Sequence, residues 1–233
     1  MNSTTHIVST KKLTVDQIHQ LKLNGIKIIH ADFIKRKIQL PNELIASEIV
    51  KTIVITSKTG VKAFNEIIKR LKLNTSDYNI YCIELATQQE ALKYNLRVKG
   101  VAKDADLLAE EILKDKSIQT VTFICSNIRR EELPEKLRAN GIKVNEVIGY
   151  HTELTPEKIN ENYSGVLFYS PSTIDSFLRL NKINDAVAFC IGKTTAQYAK
   201  QSGFKKIEVA EVASVNELIK TAILYYSKKS VHA

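Results

Sequence analysis

Short runs rich in β-branched and aromatic residues alternate with stretches of helical apolar spacing along the whole chain, and this alternation restricts the fold more than any other feature. The strand candidates are "HIVST" (6–10), "IKIIHADFI" (26–34), "TIVITS" (52–57), "NIYCIE" (79–84), "TVTFICS" (120–126), "KVNEVIGYHT" (143–152), "GVLFYS" (165–170), "AVAFCIG" (186–192) and "KKIEVA" (205–210). Between them, "VKAFNEIIKRLKL" places Val61, Phe64, Ile67, Ile68 and Leu71 on one face, the stripe of a helix lying on a sheet. "DADLLAEEILK" and "SVNELIKTAILYY" read the same way. Strands alternating with helices of this kind predict an α/β fold of doubly wound parallel sheets.

The chain also repeats itself. Ser57, Val61 and Phe64 align with Ser170, Ile174 and Phe177. "CIELATQQEALKYNLRVKGVA" aligns with "CIGKTTAQYAKQSGFKKIEVA", matching Cys82 to Cys190, Thr87 to Thr195 and Ala102 to Ala210. The period is too long for a solenoid and suits a duplicated α/β domain. With 8 Gly and 4 Pro among 233 residues there is no flexible linker, so two domains would be joined by short or ordered segments. The best crossings lie near Lys35–Pro41 and Glu153–Asn162; two crossings mean that one domain is inserted into the other.

Several classes are excluded on composition. No apolar run approaches the roughly 20 residues needed to cross a bilayer, and the start, "MNSTTHIVSTKKL", lacks the basic end and apolar segment of a signal peptide, so a cytoplasmic location is expected. Cys82, Cys125 and Cys190 each sit in an apolar run without a CxxC, as buried reduced thiols do, and the histidines (His6, His19, His30, His151, His232) show no ligand spacing. The formal charge of +9 is spread along the chain with no basic block and no basic–aromatic interleaving. That argues against nucleic acid and leaves a general surface excess or a small anionic ligand.

In doubly wound sheets the ligand sits beyond the carboxyl ends of the strands. The residues there are Ser57-Lys58-Thr59, Ser126-Asn127-Ile128-Arg129-Arg130, Ser170-Pro171-Ser172-Thr173 and Gly192-Lys193-Thr194-Thr195, all without a carboxylate. The last is not a P-loop, because Val187 stands where the loop needs its first glycine. Ser170-Pro171-Ser172 has the form of a serine-capped helix start, and Thr194 with Gln197 that of a capping box, with Gly203 as the helix stop. Capping alone explains these residues; the same geometry also aims unpaired amides at an anion. The missing acidic strand end excludes a phosphoacceptor, and no GxSxG or GxGxxG supports a hydrolase or a dinucleotide fold. Tyr150 is a phenol near the second crossing, equally readable as a core residue.

Three motifs together resemble the uroporphyrinogen-III synthase family: "VLFYSPSTIDSF", "AVAFCIGKTTAQYAKQSGFKKIEVAEVASVNELI" and "CSNIRREELPEKLRANGIKVNEVIGYHT". They cover much of the second half. The first half matches through element order and "ITSKTGVKAF", and it departs at Glu84-Leu85-Ala86, where the second copy has Gly192-Lys193-Thr194. The resemblance implies two flavodoxin-like domains joined by a two-stranded linker, residues 1–37 with 153–233 forming one and residues 38–152 inserted as the other. It implies a monomer without metal or cofactor, and a linear tetrapyrrole polycarboxylate, hydroxymethylbilane, as substrate. Ring closure loses water and inverts the terminal pyrrole. Tyr150 would donate to the leaving hydroxyl; Ser170, Ser172, Gly192, Lys193, Thr194 and Thr195 would hold carboxylates from one domain, and Ser57, Asn127 and Arg130 would approach from the other. The rivals are a non-catalytic module for a small polyanionic metabolite and, less well supported, a duplicated receiver.

Overall fold

The structure is a computed structural model that describes residues 5–231. Residues 1–4 of the opening stretch, and His232, lie outside that range. The chain begins with β1 (Thr5–Ser9), α1 (Val15–Leu23), β2 (Ile26–His30) and β3 (Ile34–Ile38). It continues through β4 (Thr52–Ile55), α2 (Lys58–Leu71), β5 (Asn79–Ile83), α3 (Leu85–Leu92), β6 (Arg97–Ala102), α4 (Ala105–Lys114), β7 (Thr120–Ser126), α5 (Glu132–Ala139) and β8 (Lys143–Leu154). It ends with β9 (Gly165–Phe168), α6 (Pro171–Leu178), β10 (Val187–Cys190), α7 (Lys193–Gln201), β11 (Ile207–Val209) and α8 (Val215–Val231).

These elements fall into two units, Met1–Lys35 with Glu153–Ala233, and Arg36–Thr152. The chain passes from one to the other within β3 and β8, which are neighbours in one sheet. That sheet has the order β3-β8-β7-β4-β5-β6, and its pairings from β8 through to β6 are parallel. The other unit has the order β11-β10-β9-β1-β2, parallel throughout.

Parallel strands covered on both faces must be apolar on both. Accordingly Ile53, Val54 and Ile55 of β4, and Val166, Leu167 and Phe168 of β9, are all fully buried. Side-chain alternation divides each sheet between two cores. Val166 and Phe168 enter a cluster with Phe33, Ile174, Phe177 and Phe204, whereas Leu167 faces Ile7, Phe189, Leu218 and Ile219. In the inserted unit Ile53 and Ile55 meet the buried stripe of α2, Val61, Phe64, Ile67 and Ile68, while Val54 packs with Leu108, Phe123 and Leu137.

The internal repeat appears as β4-α2-β5-α3-β6-α4 and β9-α6-β10-α7-β11-α8, each laid out in the same spatial sequence. What completes the sheet differs. β7-α5-β8 follows its copy in the chain, whereas β1-α1-β2 precedes its copy by the whole inserted unit, yet both sit beside the first strand of the copy. One unit is a circular permutation of the other.

Two strand expectations need correction. The run 26–34 is not continuous: it divides at Ala31-Asp32-Phe33, where the Ala31 and Phe33 amides turn to the Ser9 and Thr10 carbonyls and the Phe33 ring is fully buried. β6 is absent from the strand candidates because "RVKGVA" carries two cations and a glycine. Gly100 is required there, since a Cβ would stand 2.7 Å from the Tyr81 ring. Its alignment with "KKIEVA" is the one trace of it.

On β8, Glu146 is gripped by the guanidinium groups of Arg129 and Arg138. Burial alone would raise its pKa, but the hydrogen bonds from Arg129 and Arg138 outweigh that and hold it below the ordinary 4.5. A depressed carboxyl stabilises the fold above its unfolded pKa and loses that contribution as pH falls through the folded one. Glu146→Gln is therefore expected to lower the thermal midpoint at neutral pH. The gap to the parent should narrow as pH falls from the ordinary glutamate range through the lower folded value, and a gap that persists once the carboxyl is protonated would show that charge is not its source.

Candidate functional site

Each sheet reverses the direction of strand addition at one place, the position where doubly wound sheets open a crevice for ligand. In the inserted unit it lies between β4 and β7. Ser57 ends β4 in extended conformation and caps α2: its Oγ accepts the Gly60 N–H at 3.1 Å and lies 2.9 Å from the Tyr150 hydroxyl. Gly60 keeps this turn close to the sheet, since a Cβ would meet Ile55 Cγ2 at 2.8 Å. Tyr150 arrives from β8 and is 7% exposed, its ring in the core beside Ile124 and Val147. Burial raises its pKa above the ordinary 10.0 while the Ser57 bond pulls the other way, so the phenol is neutral at pH 7. Ser57 accepts from Gly60, so of the two hydroxyl hydrogens in this pair one joins the oxygens and one is left to donate.

Asn127 stands next to this pair but is occupied by its own fold. Its Oδ1 accepts from the Thr152 amide at 2.7 Å and from Ser126 Oγ at 2.9 Å, and Ser126 Oγ also lies 2.9 Å from Thr152 Oγ1. The Asn127 amide donates to the Tyr150 carbonyl at 3.4 Å. Asn127 thereby clamps the end of β8 that carries Tyr150. Arg130 is not drawn into the cluster; it is exposed and lies 3.7 Å from Glu132.

In the other unit one capping expectation is met and one is corrected. Ser170 is the cap position of α6 with Pro171 at its first helical position, as expected; its hydroxyl lies 2.9 Å from Ser172 Oγ, while Thr173 Oγ1 receives the Ser170 amide and donates to its carbonyl at 2.7 Å. The Thr194–Gln197 capping box does not form, because α7 starts two residues earlier than that box requires. Gly192 is its cap, with no side-chain bond, and Thr194 is already inside the first turn. Gly203 does end the helix, with φ +100° and its amide on the Lys200 carbonyl. A Cβ on Gly192 would meet nothing within 4 Å; Lys193 and Thr194 are exposed, whereas Thr195 is 4% exposed and offers its backbone alone. The first amides of this helix therefore have no side-chain cap.

The reversal point of this unit, between β1 and β9, carries a cluster the sequence reading did not include. Ser9 Oγ lies 3.0 Å from the Tyr169 hydroxyl, and Lys11 Nζ stands 5.8 Å from the centre of the Tyr169 ring. The strand-end rule, applied to "HIVST" and to the tyrosine before Ser170, would have found it. Elsewhere, Cys82, Cys125 and Cys190 are buried free thiols, pushed up by burial to about 11, about 12 and about 12. Among the described residues no group of three His, Cys, Asp or Glu gathers as a metal site, and no helix is long and apolar enough to cross a membrane.

Comparison with known proteins bears on this arrangement. The uroporphyrinogen-III synthase of Saccharomyces cerevisiae is 31% identical over 129 residues, covering 49% of this chain and 46% of that protein, so the match spans less than half of that relative. The crystal structure of uroporphyrinogen-III synthetase from Helicobacter pylori 26695 superposes with a TM-score of 0.68 at 18% identity, over 95% of this chain and 99% of that one. A mutant uroporphyrinogen III synthase from the extremely thermophilic bacterium Thermus thermophilus gives 0.70 at 13% identity, over 98% and 99%. At such identities the structural likeness speaks for the fold. The sequence model of the family described as uroporphyrinogen-III synthase HemD matches residues 16–220, most of the chain. This chain belongs to the uroporphyrinogen-III synthase family.

Proposed function

We propose that this chain closes hydroxymethylbilane to uroporphyrinogen III, releasing the terminal hydroxyl as water and inverting the last pyrrole ring. The observation that carries the reading is the family match over residues 16–220, joined to a neutral phenol hydrogen-bonded to Ser57 where ligands enter such sheets. The chemistry asks little acid strength. A pyrrole nitrogen pushes electrons toward the hydroxymethyl carbon, the C–O bond breaks, and the departing oxygen takes up a proton to leave as water. The harder task is deciding which carbon of the last ring attacks the resulting cation, and holding the chain in one geometry decides it.

Within this reading Tyr150, backed by Ser57, donates a hydrogen bond to the departing oxygen. Ser170, Ser172, Lys193, Thr194 and the amides from Gly192 to Thr195 hold substrate carboxylates. Asn127 acts by fixing the end of β8, and Arg130, an exposed cation paired with Glu132, meets a carboxylate. The overall charge of +9 favours a polycarboxylate. The reading also carries a monomeric cytoplasmic protein that needs neither cofactor nor metal.

The isomer of the product tests it. Hydroxymethylbilane closes by itself to the uninverted ring, so incubation with the protein should give the inverted isomer. Uninverted product alone, at the spontaneous rate, would leave a non-catalytic module for an anionic metabolite as the better account.

A further inference from the structure

The two hydroxyl pairs at the strand-reversal points have opposite hydrogen-bonding polarity. Ser57 accepts from the Gly60 amide, so the Ser57–Tyr150 pair keeps one hydrogen to give. Ser9, fully buried, donates to the Lys11 carbonyl at 2.6 Å. Its single hydrogen is committed there, so the 3.0 Å contact between Ser9 and Tyr169 has the phenol as donor. The Tyr169 hydrogen is then committed as well, and what the phenol oxygen has left is a lone pair. Burial pushes the Tyr169 pKa up to about 12, so at neutral pH the oxygen keeps that hydrogen. Tyr169 is partly exposed, just past β9 at the reversal point of its unit, and the Lys11 ammonium stands over its ring.

We propose that Tyr169 is a substrate-contacting residue whose oxygen accepts the N–H of one pyrrole ring, while Lys11 meets a carboxylate on the same ring. This rests on the reading of the substrate as a linear tetrapyrrole. An acceptor cannot hold a carboxylate, which is itself acceptor-only when ionised. The donors such a substrate offers are its pyrrole N–H groups and its terminal hydroxyl, and the hydroxyl is assigned above to the donor pair at Tyr150. Lys11 supplies the opposite charge for the acid chains that flank each pyrrole nitrogen's ring. The cluster therefore reads the edge and the substituent of one ring together, a way of fixing which ring sits where.

Steady-state kinetics of Tyr169→Phe with hydroxymethylbilane, alongside thermal melting, test the proposal. The variant keeps the ring under Lys11 and removes the acceptor. KM is expected to rise about tenfold with kcat within about twofold, since the proposal gives the group no part in breaking the C–O bond. A purely structural tie between Ser9, Lys11 and Tyr169 would lower the melting temperature and leave KM alone; unchanged KM overturns the proposal whatever the melting temperature does. Should Tyr169→Phe fail to fold, Lys11→Gln at an exposed position carries the test, with KM expected to rise several-fold and an unchanged KM again overturning it. If the parent protein forms no inverted isomer, the functional reading fails and this proposal falls with it. If the parent is active and both variants bind as it does, the subsite alone is wrong.

Discussion

Tyr150→Phe is expected to lower turnover of hydroxymethylbilane about a hundredfold, the loss typical of removing one positioned proton-sharing group, with a small change in stability. The ring is 7% exposed and packed with Ile124 and Val147, and phenylalanine preserves that packing. Ser57 still accepts from Gly60, so the start of α2 stays capped. What disappears is the hydroxyl that the proposed reaction uses as donor to the departing oxygen. Because the reaction without enzyme yields the uninverted ring, the variant's product should also shift toward that isomer as enzymatic closure slows into the spontaneous range. Turnover equal to the parent in folded, soluble protein removes Tyr150 from the donor role and leaves it a core residue.

Phe177→Ala is expected to destabilise its unit by about 4 kcal/mol, within the usual cost of emptying an aromatic site. Phe177 is fully buried, with ring centroids 5.7 Å from Phe33, 5.8 Å from Tyr163 and 5.6 Å from Phe168, and Phe168 continues the stack to Phe204. Truncation removes the ring shared by three aromatic pairs, and the strands beneath cannot close around the cavity without breaking their register. Native-state hydrogen exchange is the appropriate measurement, because a two-unit chain need not melt in one step. Amides of β9, β10 and α6 should lose protection by about three orders of magnitude, while those of β4, β5 and α2 keep theirs. Equal losses in both units would show that their cores are not energetically separate.

The sequence disclosed the alternating α/β pattern and the repeat because both are written in side-chain periodicity, which burial enforces directly. It disclosed less where backbone contacts decide. Residues 26–34 are apolar enough to read as one strand, but the ladder with β1 runs only to the Ala31 amide, beyond which the chain turns so that the Phe33 ring is buried. β6 was hidden because Lys99, Arg97 and Gly100 break the apolar pattern of an edge strand whose pairing supplies its stability. The candidate site was legible as separate strand-end residues. Ser57 and Tyr150 were named separately, and the structure brings them to 2.9 Å. The roles of Ser170, Thr194 and Asn127 were not legible, because a hydroxyl or carboxamide near a helix start has several partners within reach and a distance of a few tenths of an ångström chooses among them. The Ser9–Tyr169 polarity depends on a backbone carbonyl two residues along, which no residue type announces.

The permuted arrangement of the two sheets has a consequence for biosynthesis. Residues 36–152 contain nearly every strand of their sheet in one uninterrupted stretch, so that lobe can mature while the ribosome is still at work. Its counterpart cannot: β1 and β2 are made before the inserted unit, yet β9, the other neighbour of β1, appears only after the whole intervening stretch. Nascent "HIVST" must wait with one edge bare, which leaves a strand made before the intervening stretch among the last to be sealed and an obvious handle for a chaperone.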